Sequence, residues 1–467
     1  MQIATPVAAS HLVESSGPPT ITRPSFLSNL LTVAGGQVAC AAIAVITEIC
    51  YARLLGPAGR GQISLCLMAI AFGVLVGGLG CEIPITLWAA DAKKKSSEWL
   101  PAVIFWGLLG SSIASFLWSF IYWHLHPSFL KGATPALAVL VLVSIPPSVF
   151  LGYLLAILAG LERFRIRAIV ALADQSIGLL GVIALVIVFG RKTEMAVLGN
   201  LAGIILGAIF AAILLRQHFQ RPTTVSATKK YLRPSLSLGL RGQLGNLAAF
   251  FNYRLDVFIV NYFLDPAQVG IYAIGVVVSE ALWQLPSAAA LALFPRTART
   301  LDHGAAEFTC LIVRQVFLLA FVSGLIIAVL SPIFIPLIFG ARFRPAVAVI
   351  WWILPGTVAL SVGKVAAADL AARGKPQYSS IFAFIALVVT VALDLIAIPR
   401  MGIQGAALAS SASYLLIALL LAGTLKRELR ISWKSLFIPS YAEISSYRDV
   451  FWRCKAWLFP ESVAAGK

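Results

Sequence analysis

The chain has 467 residues, of which 60% are hydrophobic and only 12% are charged, and its formal net charge is +17. So few polar side chains cannot cover a water-exposed surface, and the composition therefore excludes a soluble globular protein. In a protein that crosses a membrane many times, an excess of Lys and Arg marks cytoplasmic loops, which argues against a nucleic-acid partner.

Apolar runs of about 20 residues, the length needed to span a bilayer, recur along most of the chain. Because helices satisfy their own backbone groups in lipid, these runs predict an all-α, polytopic membrane protein. We predict about twelve transmembrane helices, at residues 27–51, 62–89, 100–123, 135–160, 168–190, 195–215, 237–263, 268–295, 308–330, 345–372, 377–398 and 403–425.

The segments outside these helices define the predicted domains. Residues 1–26 lack the basic start and apolar core of a signal peptide and are predicted to be a disordered cytoplasmic tail. The basic segment 216–236 is predicted to be a cytoplasmic linker between an N-lobe, 27–215, and a C-lobe, 237–425. Residues 426–467 mix basic and aromatic side chains, which is typical of a segment lying in the headgroup region of the cytoplasmic face.

The two lobes are predicted to be copies of one six-helix unit. The stretches LGPAGRG at 55–61 and LDPAQVG at 264–270 share Leu, Pro, Ala and Gly at an offset of 209 residues. The same offset brings the predicted helix starts of the two lobes within a few residues of each other. Since each copy has an even number of helices, both copies begin on the same side, and we expect a pseudo-two-fold axis along the membrane normal.

The distribution of basic residues predicts the orientation. With the N-terminus inside, most Lys and Arg residues fall in cytoplasmic segments, including Lys93 to Lys95 and the tail after Lys426. The positive-inside rule therefore predicts that both termini are cytoplasmic.

Charged residues inside the predicted spans are the candidates for function. Such a charge costs at least a few kcal/mol in lipid, so it normally faces the bundle interior or an aqueous cavity. The candidates are Glu48, Glu82, Asp174, Arg241, Arg254, Asp256, Glu280, Arg314, Lys364, Asp369 and Asp394. Six of them lie near a span end, where snorkelling to the interface favours a structural role. Glu82, Arg241, Arg314 and Asp369 lie in the inner part of their predicted spans, and Glu48 and Asp394 lie near outer ends.

Arg254, Asp256, Glu280 and Asp174 lie well inside their spans. Arg254 and Asp256 are two residues apart and point about 200° from each other on a helix, so each needs its own partner. In one arrangement Arg254 faces a central cleft, Asp256 meets a neighbouring helix, and Glu280 pairs with either. A structural ion pair and a substrate contact are both open for Arg254. We favour structural roles for Asp256 and Glu280, and for Asp174 a hydrogen bond within the N-lobe over a cation site.

The repeat separates Arg254 from Asp256. At the 209-residue offset Arg254 aligns with Val45, whereas Asp256 falls one position away from alignment with Glu48. Because a purely architectural charge would be expected in both copies, this asymmetry places Arg254 in the cleft.

Signatures of enzymes are missing from the sequence. There is no GxSxG, HExxH or GxxxxGK[ST] motif, so neither an enzyme nor a cofactor is predicted. The six Cys residues form no CxxC pair and the five His residues lie in predicted tails or loops, so no metal site is expected.

Three stretches carry a resemblance to a known family. They are YARLLGP at 51–57 with Gly59, Gly61 and Gly80; Arg254-x-Asp256 with VGIY at 269–272, Glu280, Leu285-Pro286 and Phe294-Pro295; and GKP at 374–376 with IPRMGIQGAA at 398–407. Together they resemble the polysaccharide-transporter and oligosaccharide-flippase families of the multidrug/oligosaccharidyl-lipid/polysaccharide exporter superfamily.

The resemblance implies a flippase that moves an undecaprenyl-diphosphate-linked oligosaccharide across a bacterial inner membrane by alternating access, for surface polysaccharide synthesis. It also implies a cleft in which cationic side chains bind the diphosphate and sugars. Arg254 matches the family pattern, and position in the membrane adds Arg53, Arg241, Arg314 and Lys364 as substrate-binding candidates.

The implied partners are the lipid-linked oligosaccharide, membrane lipids, a polysaccharide polymerase and export proteins, and we expect a monomer. The alternative is a cation-coupled multidrug exporter of the same fold, with Asp174 or Glu280 as the ion site. A membrane-embedded glycan polymerase or ligase is disfavoured because the predicted outer loops are short. The driving force is open between protons, sodium, the membrane potential and the substrate gradient.

Overall fold

The computed structural model describes residues 26–91, 93–190, 192–218, 225–284, 286, 287, 289 and 303–437, with side chains at 26–34, 125–129, 225–228, 241, 242, 244 and 303–305 outside that description. The predicted tail before residue 26 and the tail after residue 437 also lie outside the described residues. Within the described ranges the chain forms helices and turns and no strands.

Six helices form the first half of the described chain. They are α1 (Phe26–Gly77), α2 (Glu82–Ala90), α3 (Ser96–Phe129), α4 (Pro135–Gly160), α5 (Phe164–Val188) and α6 (Thr193–Leu215). The second half contains α7 (Val225–Phe263), α8 (Pro266–Glu280), α9 (His303–Ile338), α10 (Ala346–Ala372), α11 (Gln377–Met401), α12 (Ile403–Leu429) and the short α13 (Trp433–Phe437). Three-residue 3₁₀ turns follow α6, α8 and α9.

Ten helices in the described part of the chain are long and apolar enough to cross a membrane. The first of these, Gly35–Gly77, has 43 residues, about twice the length that one crossing needs, so it supplies two spans. Helix α7 is long enough at 39 residues, but charged side chains such as Lys229, Arg233 and Arg254 lower its hydropathy. When α1 is counted twice and α7 is included, the spans match the predicted twelve, and the all-α membrane fold is confirmed.

Each half begins with a helix that breaks at the same position of the repeat. In α1 the break falls at Gly56, whose φ of 69° and ψ of −174° are left-handed and non-helical, and Pro57 starts the next segment. In the second half the break falls at Asp265, 209 residues later, and Pro266 starts α8. The Asp265 carboxylate accepts hydrogen bonds from the N–H groups of Ala267 and Gln268 and caps α8.

The halves meet where these two breaks face each other. A Cβ atom placed on Gly61 would lie 1.7 Å from the carbonyl oxygen of Pro266, and one placed on Gly270 would lie 2.1 Å from the carbonyl oxygen of Pro57. Gly61 corresponds to Gly270 and Pro57 to Pro266 at the 209-residue offset, so the two contacts are equivalent under the repeat. Only glycine permits this approach of two backbones.

Two clusters of buried apolar side chains form the cores. One is drawn mostly from α1 to α6 and includes Tyr51 and Tyr153, and the other is drawn mostly from α7 to α12 and includes Tyr272 and Tyr414. Tyr231 of α7 belongs to the first cluster. We refer to the halves as the N-lobe and the C-lobe.

Helix α7 begins at Val225, within the segment predicted to be a linker. Packing against the N-lobe accounts for the early start. The Tyr231 ring lies edge-on to Trp88 with centroids 5.0 Å apart, and the Trp106 indole N–H donates to the Leu232 carbonyl at 3.0 Å. These contacts stabilise a helical conformation in a segment whose polar sequence predicts a loop.

Candidate functional site

Arg254 on α7 and Glu280 at the end of α8 form an ion pair inside the C-lobe. The two Nη atoms of Arg254 lie 3.1 and 2.8 Å from the two carboxylate oxygens of Glu280, so the contact is bidentate. The side chains are 28% and 11% exposed. A bidentate pair is stronger than a single contact and fixes the orientation of both groups. The charge of Arg254 is thus already matched by its neighbour on α8.

Asp256 points into the packing of α7 against α8 and α12. Its carboxylate accepts hydrogen bonds from the Tyr272 hydroxyl, from the Val257 N–H at 2.7 Å and from the Ser410 hydroxyl at 3.3 Å. The residue is 2% exposed. These donors satisfy the carboxylate and join three helices of the C-lobe.

Three aromatic rings and one lysine lie beside the ion pair. Tyr253, Trp283 and Tyr414 contact one another with ring centroids 5.3, 5.5 and 5.7 Å apart. The Lys364 ammonium lies 4.5 Å from the Trp283 centroid and 5.8 Å from the Tyr253 centroid, within the range of cation–π attraction. Lys364 forms no ion pair with any carboxylate of the described residues.

Asp394 on α11 is fully buried, and neither of its oxygens has a hydrogen-bond partner among the described residues. One turn earlier, the Thr390 hydroxyl lies 3.2 Å from Oδ1 of Asn252, and the Ser413 hydroxyl lies at the same distance from that oxygen. A buried carboxylate without a partner requires a proton or a cation to be stable.

The donor set limits which cation these residues suit. No group of three or more His, Cys, Asp or Glu side chains that could hold a metal occurs in the described ranges. Carboxylates together with hydroxyl and amide oxygens are poor ligands for soft transition metals. Asp394 and its neighbours therefore suit a proton or a small hard cation.

Basic side chains join the lobes at the ends where α7 and α9 finish. Arg53 donates hydrogen bonds to the carbonyls of Leu337 and, at 2.8 Å, Ile338. Lys131 donates to the carbonyls of Tyr262 at 2.6 Å and Leu264 at 3.2 Å. All four bonds cross from the N-lobe to the C-lobe and satisfy carbonyls at the C-terminal end of a helix, where a cation is favoured.

The other predicted residues lie in different surroundings. Arg314 donates to the Ser435 carbonyl and ties α9 to α13. Asp174 lies on α5 against Gly207 of α6, inside the N-lobe. Arg241 is on α7, and its side chain lies outside the described part of the structure.

Of the predicted residues, the structure thus brings Arg254, Glu280 and Lys364 into one site. It places Arg53 at a contact between the lobes.

Sequence reasoning missed the neutral members of this site and regarded Asp394 as a helix-end residue. The missed residues are Asn252, Tyr272, Thr390, Ser410, Ser413 and Tyr414. A signal was present, because Asn252 precedes Asp256 by four residues and Thr390 precedes Asp394 by four. Polar residues four apart in an apolar span share one helix face and indicate a buried polar cluster.

Solved structures share the fold over nearly the whole chain. The lipid II flippase MurJ in an inward closed conformation matches with a TM-score of 0.71, 16% identity, and coverage of 93% of this chain and 100% of that chain. An inward-facing multidrug resistance MATE family transporter of the MOP superfamily matches with a TM-score of 0.61, 16% identity, and coverage of 88% and 96%. The eukaryotic MATE transporter AtDTX14 matches with a TM-score of 0.57, 15% identity, and coverage of 88% and 98%.

The fold, with two lobes and charges buried among membrane helices, is thus shared with solved structures of membrane transporters. The sequence matches the polysaccharide biosynthesis protein family over residues 26–301, more than half of the chain. The chain belongs to that family, and the resemblance stated from its motifs is confirmed. A search of curated proteins gives no match.

Proposed function

We propose that the protein moves an undecaprenyl-diphosphate-linked oligosaccharide from the cytoplasmic to the periplasmic leaflet of a bacterial inner membrane, for surface polysaccharide synthesis. The observation that carries this proposal is membership of a polysaccharide biosynthesis family in a chain with a transporter fold. A transporter serving that synthesis needs a glycan as cargo. A glycan built on a lipid carrier at the cytoplasmic face is the form that has to change leaflets.

The Arg254–Glu280 pair is the proposed contact for the diphosphate. An arginine fork binds phosphate oxygens in the same bidentate geometry that it uses for a carboxylate. The diphosphate therefore competes with Glu280 for Arg254. In the absence of substrate, Glu280 neutralises Arg254, so no unpaired cation is buried in the membrane interior.

The bonds made by Arg53 and Lys131 support a loading direction. With both termini in the cytoplasm, these bonds lie at the periplasmic ends of the helices and hold the lobes together there. Substrate then loads from the cytoplasmic side, and breaking these bonds accompanies release. We expect the protein to act as a monomer and to pass its cargo to a polysaccharide polymerase and export proteins.

Asp394 supports cation coupling. A proton or sodium ion at this buried carboxylate removes the cost of its charge, so ion binding and release can favour different arrangements of α7, α11 and α12. The alternative, a cation-coupled exporter of small molecules, would use the same ion. It would give ion-dependent dye efflux and leave surface polysaccharide intact when the gene is removed.

Gene deletion followed by complementation tests the proposal. Deletion is expected to abolish a surface polysaccharide and to leave its lipid-linked repeat on the cytoplasmic side, and the wild-type gene restores both. Arg254→Met combined with Glu280→Leu, which leaves no unpaired buried charge, is expected to accumulate in the membrane without restoring export, whereas Val45→Ala, at the position equivalent to Arg254 in the N-lobe, restores it. Unchanged polysaccharide in a deletion strain without a second flippase would contradict the proposed cargo.

A further inference from the structure

Lys364 is a cation in the membrane part of the C-lobe whose partners in the described structure are aromatic rings and not carboxylates. Glu280 holds Arg254 with both of its carboxylate oxygens. Lys364 is therefore left without a carboxylate partner of its own among the described residues. An intramembrane lysine left in this state is a functional group by default.

A cavity of about 270 Å³ opens beside this lysine, between α7, α10, α11 and α12. Its polar wall is formed by Lys364, Asn246, Ser379 and Ser380, and much of the rest is made of small residues. One of these, Gly245, keeps the space open, since a Cβ atom there would lie 2.7 Å from the Ser380 hydroxyl oxygen.

The mouth of the cavity lies at exposed polar residues. Asn246 and Ser380 are exposed, whereas Tyr253 and Lys364 are partly buried in its wall. Asn246 shares a helix face with Phe250, one turn further along α7, and Phe250 contacts Phe72 of the N-lobe. The mouth therefore opens beside the boundary between the lobes.

We propose that this cavity binds one carboxylate-bearing sugar, of the uronic-acid class, in the glycan of the transported substrate. The inference rests on the proposed flippase function and adds a subsite to it. A single ammonium matches one carboxylate, whereas a diphosphate brings more negative charge than the cavity can balance. The hydroxyl groups of Ser379 and Ser380 and the amide of Asn246 match the hydroxyl groups of a sugar ring. The cavity has room for one ring and not for an oligosaccharide.

Binding measurements on the purified full-length protein test this subsite, with three probes compared by calorimetry. The probes are methyl glucuronide, methyl glucoside and inorganic pyrophosphate. Methyl glucuronide is expected to bind and the other two to bind more weakly. Lys364→Gln is expected to weaken methyl glucuronide binding by about tenfold to a hundredfold, because it removes a charge-assisted contact, and Lys364→Arg to preserve most of it.

Two further variants separate loss of the subsite from loss of the fold. Gly245→Val fills the cavity and is expected to prevent binding with Lys364 intact. Lys375→Gln, at a lysine paired with Glu428 outside the cavity, is expected to bind as the wild type does. Equal binding of methyl glucoside, stronger binding of pyrophosphate, or no binding of any probe would each overturn the proposal.

The genetic and binding results are independent of each other. Loss of polysaccharide on deletion, combined with no methyl glucuronide binding, would reject the subsite and leave the flippase function standing. Binding that depends on Lys364, combined with unchanged polysaccharide on deletion, would reject the flippase function instead.

Discussion

The two lobes share a break in the first helix, but different residues stabilise that break. Both first helices break before a proline at the same point of the repeat. The N-lobe makes the break with a left-handed Gly56, and the C-lobe makes it with Asp265 as a helix cap. Gly61 and Gly270 then meet the opposite backbone in equivalent contacts. The repeat has kept the break, the proline after it and the glycine at the contact, whereas the residue at the break itself differs between the lobes.

The buried charged residues differ between the lobes more than the breaks in their first helices do. At the 209-residue offset, the N-lobe counterparts of Arg254, Glu280, Lys364 and Asp394 are Val45, Ala71, Leu155 and Leu185. The buried charges of the N-lobe include Glu48 and Arg60, which pair at 2.5 Å across the break of α1. The N-lobe ion pair therefore spans a bend in α1. The charges of the C-lobe interior have no such counterpart, and we propose that they contact the substrate and the coupling ion.

The largest effect on the stability of the protein is expected from breaking either the Arg254–Glu280 or the Glu48–Arg60 ion pair. Glu280→Gln leaves Arg254 without a counter-charge, and Glu48→Gln does the same to Arg60, whose side chain is 4% exposed. Each change is expected to lower the stability of the folded state by about 3–5 kcal/mol, the cost of an uncompensated buried charge. Thermal unfolding of the purified protein in detergent measures the loss.

Replacing both partners distinguishes the lobes. Arg254→Met with Glu280→Leu, and Glu48→Leu with Arg60→Met, are each expected to recover most of the lost stability, because no buried charge remains. Export is expected to return only with the N-lobe double variant. Loss of export in both would contradict the division of roles between the lobes.

The break in the first helix of each lobe could be predicted from the sequence because it depends on the local backbone preferences of a few residues. Gly56-Pro57 and Asp265-Pro266 each place a residue that favours non-helical backbone before a proline, which favours the start of a helix. Their 209-residue spacing predicts the repeat. The Arg53 bond could not be predicted in the same way. A basic residue at a helix end fits a substrate cleft and a carbonyl cap equally well, and only the packing of the lobes decides between them.

The polar site was partly predictable. Arg254, Glu280 and Lys364 stood out because a charge in an apolar run is costly. The partner of Arg254 was open, since pairing depends on which helix faces α7. Asp394 was assigned to a helix end, but α11 continues to Met401 and places that carboxylate within the bundle.

A smaller effect on stability is expected at Asp394 and Asp174 when ion binding is measured. With sodium at about a hundredfold excess over its dissociation constant, a site on Asp394 stabilises the folded protein by about 2.7 kcal/mol. Asp394→Asn is expected to abolish the rise in unfolding temperature on replacing choline chloride with sodium chloride at constant ionic strength. Asp174→Asn, in the N-lobe, is expected to keep it.

Proton coupling predicts a different result in the same experiment. The sodium effect is then absent from the wild type, and a dependence of stability on pH is lost in Asp394→Asn. If the wild-type response to sodium or pH survived in Asp394→Asn and disappeared in Asp174→Asn, the ion site would belong to the N-lobe.

The smallest effect on stability is expected from the hydrogen bonds by which Arg53 and Lys131 of the N-lobe hold the ends of C-lobe helices. Arg53→Ala and Lys131→Ala each remove a charged donor from exposed carbonyls and are expected to destabilise the closed contact by about 1 kcal/mol. The ratio of open to closed protein then rises about fivefold. Pulsed electron spin resonance measures that ratio, with one label in the turn between α3 and α4 and the other in the 3₁₀ turn Ala341–Phe343.

Combining the two substitutions tests whether both contacts contribute to closure. The bonds of Arg53 and those of Lys131 share no residue, so the ratio of open to closed protein in the double variant is expected to rise by the product of the two single effects. Arg344→Ala removes an exposed charge from the same end of the C-lobe and serves as the matched control, with no change expected. Opening by Arg53→Ala alone would mean that one side of the contact governs closure. The lobes would then differ at their hinge as well as in their interiors.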